Sequence, residues 1–324
     1  MNAELNLNSE PPETFPWLLL SGLLFAVGLI LVLTAVGLGV ISWPERGELT
    51  EFRKNFTYET FSDHVVITRC SPDAKKTVIP DFINGKPVTE ICDEAFFLCT
   101  ELKRITLPTT LERVRGEAFQ GAIGVERYEI GRNPRFRTVN GILYSGNGQT
   151  LIAFPPAAVG AFRVPETVTE IGSCAFSASH LDSIFIPETV LKIGGNAFSS
   201  SIYLTSVRLP ANLKVIPWFA FTDCRRLKLV TIPSSVRRIG ASAFHGCRSL
   251  VSVKIPEGVE VVEGGTFEGC EQLKSATIFG SETWVSGAFR NCSSDLVLHV
   301  RSGSRAETEL LGNGFRVEKI PEEE

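Results

Sequence analysis

Leu227-Lys228-Leu229-Val230-Thr231-Ile232-Pro233 is followed by Val236-Arg237-Arg238-Ile239-Gly240 and then by Ala243-Phe244-His245-Gly246-Cys247. The chain repeats this pattern on both sides. An Ala-Phe dyad returns as Ala95-Phe96, Ala118-Phe119, Ala175-Phe176, Ala197-Phe198, Ala220-Phe221, Ala243-Phe244 and Ala288-Phe289, with Thr266-Phe267 as a variant. Successive phenylalanines lie 23, 57, 22, 23, 23, 23 and 22 residues apart. Proline closes the strand-like part at Pro108, Pro165, Pro187, Pro210, Pro233 and Pro256. Three residues after each Phe stands a small residue: Cys99, Ala122, Ser179, Ser201, Cys224, Cys247, Cys270 and Cys292. A fixed period of this length marks a stacked repeat rather than a row of separate domains.

Val230 and Ile232 alternate onto one face of a short strand. Pro233 ends that strand because it cannot donate the next ladder bond. Gly240 is expected to let the chain turn tightly, and Phe244 to plug the inside of the coil beside a small alanine. One coil cannot bury these groups alone, whereas stacked coils form a continuous apolar column. Each buried Val, Leu, Ile or Phe contributes roughly 1.5–3 kcal/mol. With about six such residues per coil, the stack needs neither disulfide nor metal.

The string L-x-x-[IV]-x-[IL]-P-x-x-[VL]-x-x-I-G-x-x-A-F-x-x-C resembles the BspA-type leucine-rich repeat over roughly residues 56–320. Phe56-Thr57-Tyr58, Val65-Val66-Ile67-Thr68, Val78-Ile79-Pro80 and Ile83-Asn84-Gly85-Lys86-Pro87-Val88 are similar to the entry repeat of such arrays, about residues 56–90. Leu296 to Ile320 resembles a closing strand–helix–strand cap. The expected fold is therefore an α/β repeat solenoid, a right-handed leucine-rich coil with a parallel β-sheet. The resemblance implies a surface-displayed or adhesive protein that binds rather than catalyses. The 57-residue gap holds two apolar runs around Gly146-Asn147-Gly148, which read as a β-hairpin insert over about residues 133–157. A structural side hairpin and a binding protrusion are both open.

Ahead of the repeats, Trp17 to Trp43 contains no charged residue. About 20 helical residues cross a hydrocarbon core, and the flanking tryptophans suit its two interfaces. The expected order is an acidic tail (1–16), a transmembrane helix (17–43), a linker (44–55) and the solenoid (56–320), giving a single-pass membrane protein. The tail has no Lys or Arg, while Arg46, Arg53 and Lys54 follow the apolar run. That bias favours a cytoplasmic solenoid, the family resemblance a cell-surface one, and both orientations stay open.

The 324 residues are 44% apolar and 21% charged, which excludes a disordered chain. From residue 44 onward 32 basic residues meet 33 acidic ones. A near-neutral body argues against nucleic-acid binding through bulk charge. The register shared by Cys224, Cys247, Cys270 and Cys292 points to buried thiols in a site that wants a small side chain, with a disulfide or a metal as the other readings. No Cys/His cluster has zinc spacing. His64, His180, His245 and His299 are scattered, and no hydrolase, phosphate-loop or dinucleotide motif is present. No enzyme, cofactor or metal is expected.

Binding is expected on the sheet face, at the solvent-facing position between the last two inward residues of each strand. These are Thr106, Glu129, Phe185, Arg208, Thr231, Lys254 and Thr277. Trp218 breaks the local rule in Ile216-Pro217-Trp218-Phe219-Ala220-Phe221, either as an exposed binding aromatic or as packing against the next coil. Arg and Lys accumulate between Lys103 and Arg137, offset by Glu101, Glu112, Glu117, Glu126 and Glu129. The function expected is a membrane-anchored protein that binds a protein or glycan partner through its solenoid surface. The alternative is a structural component of a membrane or envelope assembly.

Overall fold

The computed structural model describes residues 55–75, 77–285 and 287–320. The expected tail, transmembrane helix and most of the linker lie outside the described residues. Among those described, no helix is long and apolar enough to cross a membrane.

Each coil contributes three backbone ladders. The first joins parallel strands such as His180–Phe185, Ser206–Arg208 and Leu229–Thr231. The second joins two-residue strands, for example Val215–Ile216, Arg238–Ile239 and Val261–Val262. The third follows the Ala-Phe dyad: the Phe198, Phe221 and Phe244 amides donate to the carbonyls of Ala220, Ala243 and Thr266 in the next coil at 2.8, 2.7 and 2.8 Å.

The phenylalanines form the inner column. From Phe176 through Phe198, Phe221, Phe244 and Phe267 to Phe289, ring centroids are 5.0–5.4 Å apart and the planes lie within 8° of parallel. All six are fully buried. That spacing is within the range of favourable offset aromatic stacks.

The helical half of the expected α/β fold is not present in the coils. Among the described residues the regular α-helix is Arg305–Gly312, near the C-terminal end. The reason lies beside each Phe. Residues two before and two after it have positive φ: Phe219 (54°) and Asp223 (56°) around Phe221, Asn196 (55°) and Ser200 (58°) around Phe198. Left-handed residues spaced this closely break a right-handed helix. The arc instead runs as consecutive turns, in which Thr222 N–H donates to Phe219, Cys224 N–H to Phe221 and Leu227 N–H to Cys224. The solenoid is built of strands and turns.

Gly240 also has a different role from the one expected. Its φ is not positive; a Cβ there would lie 2.5 Å from the Trp218 nitrogen and 2.8 Å from the Pro217 carbonyl carbon. Glycine is required by the close approach of the preceding coil.

At the N-terminal end Phe56–Thr60 and Val65–Cys70 form an antiparallel pair, and Val65–Cys70 passes the ladder on to Lys86–Ile91 in parallel. At the other end Val297–Val300 and Val317–Lys319 pair in parallel around the short helix. Ser304 caps that helix by accepting from the Glu307 amide at 3.2 Å.

The long gap between Phe119 and Phe176 conceals a coil. Ala153-Phe154 is a further dyad: Phe154 stacks on Phe176 at 4.9 Å and its amide donates to Ala175. The insert is a three-stranded meander of Phe136–Val139, Ile142–Ser145 and Thr150–Ala153. Its last strand also pairs in parallel with Glu170–Ile171, so it belongs to the array. The expected single column is accordingly two apolar clusters. One runs from Phe56 to Ala153 and the other from Ile142 to Leu310, interleaved at the meander.

Candidate functional site

The seven face positions fall into three groups, one on each of three parallel sheets, and within a group the pairing keeps equivalent residues side by side. Thr106 faces Glu129, Phe185 faces Arg208, Arg208 faces Thr231, and Lys254 faces Thr277. The register extends the row to residues that sequence reasoning missed. Val78 precedes Thr106, Arg163 precedes Phe185, and His299 and Glu318 follow Thr277. Irregular spacing at the insert and the cap hid them.

Much of the row is already engaged within the molecule. Glu129 lies 3.6 Å from Arg104 and 3.4 Å from Arg127. Phe185, 40% exposed, carries the Arg163 guanidinium 3.7 Å above its ring, a cation–π arrangement. Arg208 reaches Glu188 at 3.6 Å and His299 reaches Glu318 at 3.8 Å. Thr231, Lys254 and Thr277 have no ion pair or side-chain hydrogen bond among the described residues.

The row is interrupted twice. The meander separates Arg127–Ile130 from Val159–Arg163. The second break falls between Leu229–Thr231 and Ser252–Ile255, which are not paired with each other, although each is paired on its other side. A groove of about 390 Å³ opens there, lined by residues 229–232 and 252–254 with Pro256 and Phe279. Leu229 is 57% exposed. Phe279 stands where most coils carry proline.

A larger polar hollow of about 540 Å³ lies near the N-terminal end, between Asp63, His64, Glu90, Glu112, Arg113 and Arg135. Glu90 already holds Arg113 and Arg115. Lys103 likewise pairs with Glu126, so the basic stretch from Lys103 to Arg137 is largely a surface of paired charges.

Trp218 lies across the preceding coil: a Cβ on Gly195 would sit 2.5 Å from its indole ring. The ring remains 45% exposed and meets Phe219 edge-on at 5.8 Å.

The cysteine register has a bonding role. The thiols of Cys224, Cys247, Cys270 and Cys292 donate to the carbonyls of Phe198, Phe221, Phe244 and Phe267 at 3.1–3.3 Å. Ser201 does the same for Phe176 at 2.8 Å. All eight cysteines are free. Burial pushes the Cys292 thiol up to about 11 and raises those of Cys224, Cys247 and Cys270 further. Among the described residues no three His, Cys, Asp or Glu side chains are grouped to hold a metal ion.

The profile of the BspA type leucine rich repeat region matches in six copies, over residues 74–146 and 169–296. No curated protein matches the chain in sequence. The crystal structure of the pneumococcal vaccine antigen PcpA superimposes with a TM-score of 0.62 at 22% identity, covering 75% of this chain and 62% of that one. A leucine-rich repeat protein from Eubacterium ventriosum gives a TM-score of 0.51 at 22% identity, covering 65% of this chain and 64% of that one. This chain thus spans less than two thirds of either relative, and at such identity the likeness is one of fold.

Proposed function

The chain belongs to the BspA-type leucine-rich repeat family, and from there we propose that it is a binding protein that engages a protein partner through the first ladder face of its solenoid. The apolar segment from Trp17 to Trp43 anchors it in a membrane, and the repeats hold the face rigid. One observation carries the reading: Phe185, Arg208 and Thr231 line up coil by coil, as do Lys254 and Thr277 beyond the break, and Thr231, Lys254 and Thr277 have no side-chain partner among the described residues. A pre-formed row of this kind spreads affinity over many weak contacts at little ordering cost. The relatives named as a vaccine antigen and a leucine-rich repeat protein fit a displayed surface.

A pull-down with the full chain tests this. Phe185→Ala and Arg208→Glu should each weaken capture of the partner, while Lys214→Glu, on the flank of the second ladder, should leave it unchanged. Equal capture by all three variants would remove the ladder face from consideration. Protease shaving of intact cells tests the display: a solenoid outside the cytoplasm is cut, and one inside survives.

A further inference from the structure

Four consecutive strand segments flank the break in the first ladder: Leu204–Pro210, Leu227–Pro233, Leu250–Pro256 and Leu273–Phe279. They carry Arg208, Lys228, Lys254 and Lys274 and not one acidic residue. The body of the chain is otherwise close to neutral, so this concentration is local. Several nearby acids are occupied: Asp223 with Arg225, Glu271 with Arg248, Glu257 with Arg301 and Glu188 with Arg208. Lys228, Lys254 and Lys274 form no ion pair or side-chain hydrogen bond among the described residues.

The groove, which Lys254 lines, is mainly apolar, and the two strands that border it are not joined by a backbone ladder. Its volume of about 390 Å³ is in the range of sites that take one bulky group. Lys228 and Lys274 lie two coils apart, no less than about 10 Å, since the break adds to ordinary strand spacing. An extended chain covers that distance in about three residues.

Resting on the ladder-face reading above, we infer that this gap seats an extended acidic peptide of a partner protein, with one large apolar side chain in the groove and Asp or Glu on either side of it. The apolar side chain packs on Leu229 and Phe279. The flanking carboxylates meet Lys228, Lys254 and Lys274 in partly water-excluded surroundings, where such pairs are stronger than in open solvent. A sulfated glycan would satisfy the lysines and leave the apolar groove empty, which is why a peptide is the better occupant.

The probe is a fluorescein-labelled decapeptide, Ser-Gly-Asp-Glu-Phe-Leu-Glu-Asp-Gly-Ser, titrated by anisotropy with the full chain in a non-ionic detergent. Saturable binding is expected. It should weaken at least tenfold in the Lys228→Glu/Lys254→Glu double variant, and again when alanine replaces Phe-Leu in the peptide. Raising the salt should weaken it steadily. Unchanged melting of the variant shows that its fold is intact. Absent binding, equal binding by the Asn/Gln version of the peptide, or indifference to the charge reversals overturns the inference; so does heparin binding tightly where the peptide does not. Should Phe185→Ala and Arg208→Glu still impair the pull-down in those cases, the ladder face stands and only the acidic occupant falls. A pull-down unmoved by every face variant brings down both.

Discussion

Replacing Phe244 by alanine removes the middle ring of the inner column. Phe244 is fully buried and lies between Phe221 at 5.3 Å and Phe267 at 5.4 Å, parallel to both within 4°. Its backbone is fixed by the bond from its own amide to Thr266 and by the Cys270 thiol on its carbonyl, so the site has little freedom to collapse. A Phe→Ala change in such a place costs about 3–5 kcal/mol, transfer and cavity together. For a domain of this size that is a fall in Tm of about 6–20 °C. Thermal melts followed by far-ultraviolet circular dichroism read the loss. Phe185→Ala, on the sheet face, should cost only about 1 kcal/mol, mainly its contact with Arg163. A Phe244→Ala melt within a degree or two of the parent would refute the assignment of this ring to the core, and with it the register of all the coils.

Cys247→Ser should be nearly neutral, since Ser201 already makes the equivalent bond; Cys247→Ala should cost about 1 kcal/mol, measured by urea unfolding, because the Phe221 carbonyl loses the thiol donor. Gly240→Ala should cost roughly 1–3 kcal/mol by forcing the Trp218 backbone away, whereas Gly312→Ala, with open space around it, should not. Stability should also fall in alkali. An unfolded Cys292 loses its proton near 9.0, while the folded thiol holds it to about 11. Its contribution is therefore complete below pH 9 and is lost as the pH rises from 9 to 11, which urea midpoints at pH 8, 9, 10 and 11 would show. In the same folded protein a thiol reagent should fail to label Cys224, Cys247 and Cys270 until denaturant is added.

The period, the inward strand residues and the stacked phenylalanines were all legible in the sequence, because burial allows few side chains at those positions. The alignment of the face residues followed from the constant register. Ala153-Phe154 was equally visible but was absorbed into the hairpin reading, since Thr150–Ala153 serves the meander and the coil at once. The turns that displace helices were not legible. Their left-handed positions are held by Leu98, Ala178, Ser200, Asp223, Gly246 and Asn291, which share no chemistry. Neither was the ladder break: Leu227–Ile232 and Leu250–Ile255 fit the same pattern. Trp218 could be singled out as unusual, but its seat over Gly195 depends on the coil before it.

The strand Thr150–Ala153 has two allegiances, and that fixes where the solenoid is divisible. Cutting the meander out would also delete an inner rung, so the array cannot be shortened there without being severed. Residues on either side belong to different apolar clusters. Under mild denaturant, hydrogen exchange should therefore show two blocks opening at different free energies, joined at a seam near Ile142 to Phe154. The coils beyond Phe185 would then exchange as a unit distinct from the N-terminal ones.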